Sequence, residues 1–129
     1  MNPAILAIVV IGSGGLLSLF CNSRGRVATG LGLGSCLAGS LIALIWVMVR
    51  ITRADAGDFS EFISWLFLLP VVVVGSLSAL HAVGYLSGKH GDGRLGLFWF
   101  FFNLTLASMI AVTQASAPVP FLLAWECMG

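Results

Sequence analysis

Four apolar stretches of about 18 residues or more, parted by short polar links, decide what this chain can fold into. No soluble domain of 129 residues needs so much apolar surface, with 59% of the residues apolar and only 9% charged. Apolar stretches of this length predict membrane helices. The expected fold is all-α: a polytopic transmembrane helix bundle of four full helices plus the start of a fifth, in one membrane domain spanning residues 1–129.

The expected helices run from about Pro3 to Phe20, Val27 to Val49, Glu61 to Leu86 and Leu95 to Ala115, with a partial one over Val119–Gly129. The link Arg50–Ser60 holds Arg50, Arg53, Asp55 and Asp58, and the loop after the third helix holds Lys89, His90, Asp92 and Arg94. Pro70 lies within the third helix and is expected to kink it. A charge-free turn, Ser116-Ala-Pro-Val-Pro120, leads into the fifth. That fifth run covers roughly 16 Å of a ~30 Å hydrocarbon core, too little to cross it.

Charge sets further bounds. A net charge of +1 and the lack of a basic cluster argue against nucleic acid as a partner. Cys21, Cys36 and Cys127 have no CxxC-type spacing, and His81 and His90 complete no ligand pattern. Neither a metal nor a haem site is expected, nor a disulfide framework, and no cofactor is assigned. No Ser/His/Asp set, close carboxylate pair or phosphate cradle appears.

The first apolar run lacks the positive flank of a secretory signal, and its arginines, Arg24 and Arg26, follow it. It is expected to be a retained helix. Arg24, Arg26, Lys89 and Arg94 in the first and third loops outweigh Arg50 and Arg53 in the second. By the positive-inside rule the N-terminus is expected outside, in an integral protein of a prokaryotic inner membrane.

Aromatic residues stand where membrane interfaces are expected: Phe98-Trp-Phe-Phe-Phe102 one turn past Arg94, and Trp46 one turn before Arg50. Small residues four apart mark the second helix (Gly30 and Gly34, Gly32 and Cys36, Ser35 and Gly39, Cys36 and Ser40), and Gly12 to Gly15 mark the first. Such stripes let helices approach closely. The GxGxG around Gly30 lacks the preceding strand and the spacing of a nucleotide-binding turn.

Three polar residues are candidates for proton translocation. Glu126 lies in the apolar fifth run. A charge at membrane depth costs roughly 2.5–3.5 kcal/mol on insertion scales, and such residues usually mark ion paths. Glu126 can load and release a proton or pair with a lysine on a neighbouring helix. Equally, it can be a carboxylate in a frayed tail reaching the headgroups. His81 can relay protons or serve as a neutral packing residue. Asn103, with Gln114, can line a hydrated path or bond between helices.

The order of three motifs is more specific. Gly75-Ser-Leu-Ser-Ala-Leu-His-Ala-Val-Gly-Tyr-Leu86 is similar to a "SLYSxGYM" helix end, Phe101-Phe-Asn-Leu-Thr-Leu-Ala-Ser-Met109 to "FFxNLFxASM", and Trp125-Glu-Cys-Met-Gly129 to "WExMG". In this order, from about Phe62 to Gly129, the chain resembles the antiporter-like membrane subunits. These occur in respiratory complex I (NADH-quinone oxidoreductase), in multisubunit cation/proton antiporters, and in the hydrogenase-4 and formate hydrogenlyase group. The long aromatic fourth helix leans toward hydrogenase-4 component B.

The resemblance implies a membrane-arm role in redox-coupled proton or sodium translocation. Its partners would be other membrane subunits of a respiratory or hydrogenase complex and the lipid bilayer, with electron transfer in those partners. It implies that Glu126 is the ion-pair partner of a lysine on a later helix. His81 stands where the family pattern has Tyr, and Ser116-Ala-Pro118 replaces its Asp-Asn. The one lysine here, Lys89, is in a loop. The expectation is therefore a fragment, one half of a split subunit, or a remnant. Two rivals remain open: a structural or assembly subunit that moves no ion, and a small proton-coupled exporter.

Overall fold

A computed structural model describes residues 3–21, 24–52, 59–86 and 94–129; the side chains of Ser60 and Glu61 are not described. Of the described residues 94% are helical and none is in a strand. There are five helices: α1 (Pro3–Phe20), α2 (Gly25–Thr52), α3 (Phe59–Leu86), α4 (Leu95–Gln114) and α5 (Pro118–Met128). The first four are long and apolar enough to cross a membrane, the architecture of an integral membrane protein. At 11 residues α5 is not.

Local chemistry explains the boundaries that differ from expectation. α2 starts two residues before Val27 because Arg24 O accepts from Val27 N and Ala28 N at 2.9 and 3.0 Å. It continues past Val49 to Thr52, whose hydroxyl donates back to Met48 O at 3.0 Å and Val49 O at 3.1 Å. Arg50 is thus helical rather than part of the link. α3 begins at Phe59, two residues before Glu61, and runs as one helix through Pro70. α4 stops at Gln114, one residue before Ala115. α5 starts at Pro118 rather than Val119, since a proline at the first helical position has no hydrogen bond to lose. Arg53, Asp55, Asp58, Lys89, His90 and Asp92 lie outside the described residues.

The bundle is built around α1, α2 and α4, which pack against one another in all three pairings. α3 packs on α2 and α4, and α5 packs on α4 alone. The buried face of α2 is Gly25, Ala28, Gly32, Cys36, Gly39, Ser40, Ala43 and Val47, a run of three- and four-residue steps made mostly of small residues. Lipid tails are as apolar as leucine, so close van der Waals fit rather than hydrophobic burial drives such packing. A Cβ on Gly32 would meet Trp99 Cβ and Cγ at 2.6 Å. One on Gly39 would run into Ile11 Cγ1, and one on Gly14 into Ser35.

Only part of the predicted small-residue stripe makes contact. Gly30 and Gly34 are exposed, and a Cβ on either would meet nothing within 4 Å. They sit two residues from Gly32, and a two-residue step turns about 200° to the opposite face of a helix. The aromatic belt divides in the same way. Trp99 is turned inward and fully buried on α2, so it is no interface anchor, whereas Phe98 and Phe101 stay half-exposed.

Candidate functional site

Buried polar groups concentrate where α1, α2 and α4 meet. Asn103 is fully buried. Its amide donates to Gly32 O at 3.1 Å and to Ser35 Oγ at 3.3 Å. Ser35 Oγ in turn donates to Gly32 O at 3.0 Å. On α1, Ser18 Oγ lies 2.7 Å from Gly15 O and 3.3 Å from Gly96 O of α4. Gly15 backs onto Asn103, where an added Cβ would sit 3.0 Å from Asn103 Cβ. This is a polar clasp across three helices. Asn103 Oδ1 and Trp99 Nε1 are buried there without a hydrogen-bond partner.

α5 presents a different environment. Its half-buried positions, Ala124 and Met128, are one turn apart and share a stripe with Phe121. That stripe faces α4, the helix on which α5 packs, so α5 folds back alongside α4. Glu126 is two residues from both Ala124 and Met128. At 100° per residue it projects to the opposite side. There it joins Val119, Leu122 and Leu123, which are 67%, 58% and 64% exposed. Glu126 is itself exposed.

Depth follows from the helical rise. Glu126 lies eight residues beyond Pro118, about 12 Å along the axis. Counting the same distance back from Gln114 reaches Leu106, near the middle of α4, a helix about 30 Å long. By this count Glu126 stands level with the middle of α4. α1, α3, α4 and α5 contain no Lys or Arg, and Arg26 and Arg50 sit at the ends of α2. A cationic partner for Glu126 at its own depth must come from outside these residues.

His81 lies five residues before the end of α3, on the opposite half of the bundle from the start of α5. It is exposed and borders a shallow crevice of about 560 Å³ with Tyr85, Phe98 and Phe102. That crevice shares Ser78, Phe98 and Phe102 with a larger one of about 790 Å³ between α3 and α4, which carries Arg94 at its end.

The fold therefore does not bring Glu126, His81 and Asn103 together. Asn103 faces inward to α1 and α2, Glu126 faces away from α4, and His81 opens outward from α3. Gln114, half-buried at the end of α4, joins none of them. Sequence reasoning missed Ser35 as the acceptor for Asn103 and Arg94 as part of a crevice. Arg94 carried a signal: it stands one turn before Phe98. Among the described residues no group of His, Cys, Asp and Glu is placed to hold a metal ion. No family model, curated protein or solved structure matches the chain.

Proposed function

We propose that this chain is part of the membrane arm of a redox-coupled proton (or sodium) translocating complex, in the position of the first helices of an antiporter-like subunit. The observation that carries the reading is Glu126: an exposed carboxylate level with the middle of α4, on the outward apolar face of α5. A charge there is stable only when paired or protonated, and either state suits a gate for protons. The motif order ending in Trp125-Glu-Cys-Met-Gly129 supports the same role. Glu126 pairs with a lysine supplied by another membrane segment, and the pair opens and closes as protons pass. Electron transfer takes place in partner subunits of a respiratory or hydrogenase complex. The surplus of Lys and Arg in the first and third loops supports an N-terminus outside, and the resemblance to these subunits supports a prokaryotic inner membrane.

One observation favours a second reading, a structural subunit that moves no ion. Asn103 and Ser18 spend their polar groups on holding helices together rather than on lining a path.

The test uses the complex isolated from native membranes through a tag on this chain and reconstituted in vesicles. Glu126→Gln keeps the shape and removes the charge. Normal subunit content with proton uptake reduced about tenfold or more, and partial recovery with Glu126→Asp, is the expected result. Normal assembly and undiminished uptake in Glu126→Gln would establish the structural role instead.

A further inference from the structure

We draw no further inference here: the strongest candidate, the outward stripe of Gly30, Gly34 and Ala38 on α2, is a run of small exposed residues, and nothing in the structure shows what covers it.

Discussion

At the scale of single residues, two glycines two positions apart behave oppositely. Gly32→Ala drives a methyl into Trp99, a fully buried ring with no room to retreat, and should destabilise the chain by about 1–3 kcal/mol. Gly30→Ala and Gly34→Ala meet open space and should be neutral or slightly stabilising. Unfolding midpoints in mixed micelles separate the two classes. Asn103→Ala should cost about 1–2 kcal/mol by releasing Gly32 O and Ser35 Oγ. A double-mutant cycle with Ser35→Ala should show a coupling of about 0.5 kcal/mol or more, and additivity would contradict the clasp. The sequence marks Gly32, Ser35 and Asn103 as small or polar, but their meeting depends on how α2 and α4 are rotated. Several stripes of small residues on α2 compete for the contact, and only packing against Trp99 and Ile11 selects one.

At the scale of elements, α3 and α5 depend on α2 and α4 in different ways. α3 is pinned at one end by a ring cluster. Trp46 and Trp65 meet edge to face with centroids 6.3 Å apart, and the Arg50 guanidinium lies 5.2 Å from the Trp65 ring centre and 5.9 Å from that of Trp46. Trp65→Leu should cost about 1–2 kcal/mol through the lost edge-to-face contact and cation–π attraction, read in the same unfolding assay. An unchanged midpoint would mean that α3 is held elsewhere, through Leu68, Val72 and Ala79. The four spanning helices were legible because length and hydropathy alone dictate them. Their ends were less so, because caps such as the Thr52 hydroxyl and the Arg24 carbonyl act within single turns. The start of α5 was hidden in a Pro-Val-Pro turn that reads as a breaker, although proline also suits a first helical turn.

At the scale of the whole molecule, an inward core of α1, α2 and α4 carries α3 and α5 on its outside. Apolar surface is plentiful on both outer helices, as Phe67, Leu77 and Leu123, each about 60% exposed, illustrate. Lipid or protein can cover such surface; a carboxylate on it needs more. The sequence identified Glu126 as the residue of interest, yet two readings stood side by side, because a residue's depth depends on whether α5 folds back along α4 or lies flat at the interface. The stripe of Phe121, Ala124 and Met128 against α4 supports the first. The translocation proposal rests on that geometry and on the motif order ending at Gly129. Its direct test is the immersion depth of position 126, read from a nitroxide on Glu126→Cys with the three native cysteines replaced, in lipid bilayers. High collision rates with oxygen and low rates with a polar nickel chelate, giving a depth of about 10 Å or more below the headgroups, are the predicted result. A label reached freely by the chelate would place α5 in the interface and contradict a gating role for Glu126.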